Sequence, residues 1–285
     1  MHTLLLALAC QSAALTQHAA AQSNAFSAVS AMSDTNAANA SSASAAPAIA
    51  PVTATTAAAG DPAPSSGSLR PNTMAARVAA CTACHGEQGR AGADGYYPRL
   101  AGKPQDYLYQ QLLHFRDGDR IYRPMTHLLA PLPDAYLYEI AGYFAAQHAP
   151  YPAPARGPAS SSLLERGRML TQQGDPARDV PACVACHGAR LSGLAPAIPG
   201  LLGLPRDYIG AQIGSWRGDL RRAAEPDCMA EVSKRLTPED VAAVAAWLSS
   251  LPVPEPYAPE AAASLTLPLA CGSQTFPMPV AGGAQ

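Results

Sequence analysis

Apolar residues recur along this chain with a helical period, and they do so twice over. Leu108, Leu112 and Phe115 fall at i, i+4 and i+7, and Ile209, Ile213 and Trp216 repeat that spacing. Leu137, Ile140, Ala141 and Phe144 make a second stripe, matched by Val241, Val244, Ala245 and Leu248. Tyr143 and Trp247 stand at the same step of these two later helices. Start signals accompany the stripes. Leu236-Thr237-Pro238-Glu239-Asp240 offers Thr as N-cap, Pro at the first helical position and acids in the first turn. Leu132-Pro133-Asp134 is its counterpart. Leu163, Leu164, Gly167 and Leu170 predict a further helix from about Ser161; the equivalent stretch near Met74 to Ala80 is shorter. No segment alternates with period two, so the predicted fold class is all-α.

The repetition extends beyond the stripes. Pro98, Gly102, Pro104, Asp106 and Tyr107 correspond to Pro199, Gly203, Pro205, Asp207 and Tyr208, Gln111 corresponds to Gln212, and Arg116 to Arg217. The predicted organisation is therefore two units, 69–149 and 160–252, joined by a proline-rich linker at 150–159 and followed by a proline-rich tail at 253–285. Each unit is small for a core of its own, a deficit that an enclosed prosthetic group would offset. Residues 22–68 are rich in Ala and Ser and poor in bulky apolar side chains, and read as a disordered tether. Residues 1–21 read as an export signal, with a short apolar run from Leu4 and Ala19-Ala20-Ala21 as the cleavage site. In an alternative reading Cys10 is lipidated.

Charge adds exclusions rather than a function. Lys and Arg number 19 and Asp and Glu 21, for a net charge of −2, and a nucleic-acid partner would require a basic stripe. Both units are close to neutral, so no strong steering field is expected. A modest patch around Arg116, Arg120 and Arg123, or apolar surface, is the candidate docking region.

The chemistry lies in one pentapeptide used twice, Cys81-Thr82-Ala83-Cys84-His85 and Cys183-Val184-Ala185-Cys186-His187. C-x-x-C-H reads as covalent c-type haem attachment. Cys81, Cys84, Cys183 and Cys186 would form the thioethers, and His85 and His187 would be the proximal iron ligands. A zinc site would want four ligands per ion, and a redox dithiol needs no following histidine. The remaining axial position falls to Met125 and Met229, which stand equally far ahead of the aligned Leu132 and Leu236. His127, close to Met125, is a rival; His114 is expected at the surface. Two haem c groups, each with its iron, are the implied cofactors.

These motifs, each present twice, resemble the cytochrome c4 family of dihaem c-type cytochromes. The resemblance implies two tandem class I cytochrome c domains, packed through their haem edges with pseudo-twofold symmetry. It also implies that the carbonyls of Pro98 and Pro199 accept a hydrogen bond from the proximal imidazoles. Two cysteines depart from the pattern. Cys228 and Cys271 are spare thiols in an exported protein, which suggests a disulfide stapling the tail over the loop that carries Met229. The expected function is periplasmic electron transfer, from a quinol-oxidising complex or a dehydrogenase to a terminal oxidase, by a carrier rather than an enzyme. A dihaem subunit of a larger dehydrogenase or oxidase complex is the alternative, with membrane association through a partner or the N-terminus. A dihaem peroxidase or thiosulfate-oxidising enzyme is a further one.

Overall fold

The structure, a computed structural model, describes residues 72–92, 95–154, 157–261 and 266–275. The expected export signal with Cys10, the tether at 22–68 and the end of the tail lie outside the described residues.

The first repeat begins with two short helices, α1 (Met74–Arg77) and α2 (Ala79–His85). After an irregular stretch come α3 (Gln105–Asp117), α4 (Arg123–Leu129) and α5 (Asp134–Ala145). The second repeat follows the same plan with α6 (Ser161–Gln173), α7 (Val184–His187), α8 (Arg206–Arg217), α9 (Cys228–Arg235) and α10 (Pro238–Ser250). In each repeat the middle helix packs on its two successors, α3 on α4 and α5, and α8 on α9 and α10. The apolar stripes are what these contacts bury. Leu108, Leu137, Ile140 and Phe144 belong to one core cluster, and Ile209, Ile213, Val244 and Leu248 to a second.

Two details differ from the sequence expectation. Gly193–Leu194 (β1) pairs antiparallel with Ile198–Pro199 (β2), a two-residue ladder too short to produce an alternating pattern. The residues carrying Met125 and Met229 are helical rather than loop, in α4 and α9. Pro124 starts α4, and the Asp227 carboxylate caps α9 by accepting from the Ala230 amide at 3.0 Å.

The α10 start closes a full capping box. Thr237 Oγ1 accepts from the Asp240 amide at 3.1 Å, and the Asp240 carboxylate accepts from the Thr237 amide at 3.1 Å. That carboxylate is buried and also takes Arg166 and Arg178, each at 2.8 Å. Burial alone would raise the Asp240 carboxyl, but Arg178, the Thr237 amide and Arg166 outweigh it and hold it at about 2.

The linker and tail are fastened to both repeats. Buried Arg99 donates to the carbonyls of Ala101, Ala149 and Pro150 and stacks on Tyr151, which meets Tyr257 of the tail edge-on at 5.2 Å. Tyr257 Oη accepts from the Leu202 amide and donates to the Leu191 carbonyl. Cys271 forms a disulfide with Cys228 at the start of α9, and Gln110 of α3 donates to the Ser273 carbonyl at 2.9 Å.

Candidate haem-binding site

Each C-x-x-C-H motif ends a short helix, and the glycine after it turns the chain. Gly86 and Gly188 have φ of 73° and 83°, a region open to glycine, and bring the following loop back over the histidine. His85 and His187 are both buried. His85 Nδ1 donates to the Pro98 carbonyl at 2.9 Å, and His187 Nδ1 donates to the Pro199 carbonyl at 2.8 Å. Holding the proton on Nδ1 leaves the Nε2 lone pair of each ring for a metal. Burial lowers both imidazoles below their ordinary value against the opposing pull of the proline carbonyl, which keeps them neutral, as ligation requires.

The four motif cysteines are not in disulfides. Burial raises the Cys81 and Cys186 thiols and pushes Cys183 up to about 11, so unmodified they are neutral. In the first repeat Cys81, Cys84, His85, Pro98 and Met125 line one cavity of about 830 Å³, walled by Leu108, Ile140 and Phe144 of the core. A large apolar cavity with two thiols, a neutral imidazole and a thioether on its wall fits a covalently attached porphyrin. In the second repeat Cys183 packs against the core cluster, while Met229 lies half-buried in the first turn of α9.

His127 is exposed on α4. His114 is buried rather than at the surface, because α3 is covered on that side as well as along its apolar stripe. The candidate docking patch is also corrected. Arg116 is paired with Asp117 and Asp134 at 2.7 and 2.6 Å, and Arg120 is only 8% exposed.

Arg120 instead belongs to a node where the two repeats meet, one that reading the sequence missed. Arg120 donates to Gln111 at 3.0 Å, to Gln212 at 2.5 Å and to Tyr208 at 3.3 Å. Arg221 donates to Gln212 at 2.9 Å, to Gln111 at 2.8 Å and to Tyr107 at 3.3 Å. The two arginines occupy matching positions of the repeat, as the glutamines and tyrosines do. That shared register was the available signal. Because both guanidiniums share each carboxamide oxygen, their donating nitrogens are no more than roughly 6 Å apart. Two like charges at that separation repel by about 3 kcal/mol at an effective dielectric of 20. Backbone bonds zip the same seam, Ile121 N to Leu220 O at 2.9 Å and Arg222 N to Asp119 O at 2.7 Å.

Comparison with known proteins places the chain. The cytochrome c family model matches residues 165–252. Cytochrome c4 of Pseudomonas aeruginosa is 34% identical over 62% of this chain and 86% of its own length. The chain belongs to the cytochrome c4 family. A thiosulfate dehydrogenase electron acceptor of Thiomonas intermedia is 36% identical over 62% of this chain and 80% of its own. The crystal structure of reduced recombinant cytochrome c4 from Pseudomonas stutzeri matches with a TM-score of 0.53 at 29% identity, covering 62% of this chain and 96% of that one. This cytochrome c4 homologue therefore has the helical class I cytochrome c fold, binds haem c covalently and is an electron carrier. Among the described residues no helix is long and apolar enough to cross a membrane.

Proposed function

We propose that this protein is a periplasmic dihaem carrier with domains at 69–149 and 160–252. In this reading Cys81, Cys84, Cys183 and Cys186 would hold two haems, and His85 with Met125, and His187 with Met229, would ligate their irons. The haem iron supplies a one-electron ferric/ferrous couple when bound. The chain's own residues then set how that couple behaves. The Pro98 and Pro199 carbonyls orient the imidazoles and make them more basic. Ligation by the thioethers of Met125 and Met229 would favour ferrous iron and raise the potential. The apolar cores keep water away from the cavity walls. The observation that carries this reading is the single cavity lined by Cys81, Cys84, His85 and Met125, with His85 fixed by Pro98.

Electrons would arrive from a dehydrogenase or a quinol-oxidising complex and leave to a terminal oxidase. The name of the Thiomonas relative supports a thiosulfate dehydrogenase as one such donor. Carbon monoxide added to the reduced protein, with haem quantified per chain, tests the ligand assignment. Two haems and no carbon monoxide binding are expected, with Met125→Ala and Met229→Ala each opening one haem. Ready binding by the unaltered protein would instead favour a dihaem enzyme.

A further inference from the structure

The Cys228–Cys271 bridge stands where the second repeat lacks a tie that the first possesses. In the first repeat Thr126, the residue after Met125, donates from Oγ1 to the Phe115 carbonyl at 2.8 Å and so fastens α4 to α3. In the repeat register Ala230 takes the place of Thr126 and has no hydroxyl to offer. The far end of α9 is fastened to α8, because Arg217 donates to the carbonyls of Ser233 and Leu236. The first turn of α9, which carries Met229, has the Asp227 cap and the bridge.

The tail segment 266–275 depends on that bridge in turn. Its Gly272 is buried against the loop ahead of α9, where a Cβ would lie 2.3 Å from the Glu225 carbonyl oxygen and 2.4 Å from that of Ala224. Two hydrogen bonds described for the segment join it to the body. Gly272 N donates to the Pro226 carbonyl at 3.0 Å, and buried Gln110 donates to the Ser273 carbonyl at 2.9 Å. Among the described residues none of its side chains joins either core cluster. One hydrogen bond favours the ordered state by a factor of roughly five, whereas fixing the backbone of a single residue costs a factor of roughly five to thirty. Two such bonds do not hold down a segment of this length; the covalent link does. Cys228 and Cys271 are half-buried rather than enclosed, and accessible bridges are the ones that external thiols reduce most readily.

We propose that Cys228–Cys271 is a thiol–disulfide exchange site whose state decides whether Met229 stays in place at the second haem. The reacting partner is an external dithiol. Its thiolate attacks one bridge sulfur to give a mixed disulfide, and its second thiol resolves that link. The Cys228–Cys271 bond breaks and the partner's own sulfur–sulfur bond forms. Two electrons pass from the dithiol to the bridge, and two protons end on the Cys228 and Cys271 thiols. The freed segment then withdraws from residues 224–226, and the first turn of α9 is left with the Asp227 cap alone. Met125, held through Thr126, is unaffected. This inference rests on the haem reading above.

The test uses the full-length holoprotein, with haem counted first. Ascorbate, a one-electron donor that leaves disulfides intact, reduces the haems, and carbon monoxide binding is read before and after dithiothreitol is added. Thiols are counted in parallel by acid quench, alkylation and mass. Before the dithiol no haem should bind carbon monoxide. Afterwards two thiols per chain should appear and one haem in two should bind it, and reoxidation with glutathione disulfide should reverse both changes. Met125→Ala protein should pass from one open haem to two, whereas Met229→Ala protein should stay at one, which locates the response at the second haem. A bridge that dithiothreitol does not open, or that opens while both haems stay closed, would overturn this proposal alone. Fewer than two haems per chain, or carbon monoxide binding before the dithiol is added, would overturn the ligand assignment and this site with it.

Discussion

In the second repeat α6 runs unbroken from Ser161 to Gln173 and crosses α10 so closely that a Cβ on Gly167 would lie 2.6 Å from that of Trp247. In the first repeat its counterpart α1 is only Met74–Arg77, and it reaches α5 through an exposed Arg77–Glu139 ion pair at 3.3 Å. α10 opens with a capping box fed by two arginines, whereas α5 opens at Pro133 without a side-chain cap. α9 is tied to the tail by Cys228–Cys271, and α4 has no counterpart to that tie among the described residues. One ligand pattern is thus carried on two scaffolds. In the second, packing and polar ties of the chain itself hold the elements around the histidine. In the first, Cys81, Cys84, His85 and Met125 line a cavity of about 830 Å³ with fewer such ties of the chain around it.

The comparison can be broken in three places. The largest effect is expected from Cys271→Ser. The bridge closes a loop of 43 residues, and its loss should cost roughly 2–4 kcal/mol. Hydrogen exchange should show α9 losing protection while α4 does not, and carbon monoxide should gain access to the second haem only. Equal loss in both repeats would mean that the tie is not local.

Gly167→Val should follow, at about 3 kcal/mol, because the Ala243 carbonyl and Trp247 leave no space for the added carbons. A lowered unfolding midpoint, with α6 and α10 exchanging first, checks this.

Asp240→Asn should cost about 2 kcal/mol at neutral pH. The Asp240 carboxyl sits at about 2 in the folded chain against an ordinary 3.8. Its contribution is therefore complete above about pH 4 and is lost as pH falls through about 2. Denaturant titrations should show the two proteins converging in that window, and a constant gap down to pH 2 would mean that shape, not charge, sets the cost. The matched change in the first repeat, Arg77→Ala, should stay below about 0.5 kcal/mol, because both partners of that pair are solvent-exposed.

Much of the site was legible because its chemistry is local. A C-x-x-C-H pentapeptide brings two thiols and an imidazole together within about one helical turn, whatever the rest of the chain does. Helices α3, α5, α8 and α10, of 12 or 13 residues, announced themselves through apolar stripes that recur in register in both repeats. The residues around Met125 and Met229 form helices of 7 and 8 residues, too short to impose a period, and they depend on Pro124 and Asp227 for their starts. The β1–β2 ladder, two residues on each side, was illegible for the same reason.

The sequence alone determined the repeat, the helical class, the attachment motifs and the pair of methionines in register, since each is a matter of spacing along one chain. Tertiary structure decided what spacing cannot express: that Arg120 leaves the surface, that His114 is covered, that Asp240 is both cap and ion-pair partner, and that Gln110 reaches the tail. Burial is a property of what packs against a residue from elsewhere in the chain. Arg120, which reads as part of a solvated patch, becomes one of a buried pair with Arg221 only when the second repeat closes over the first.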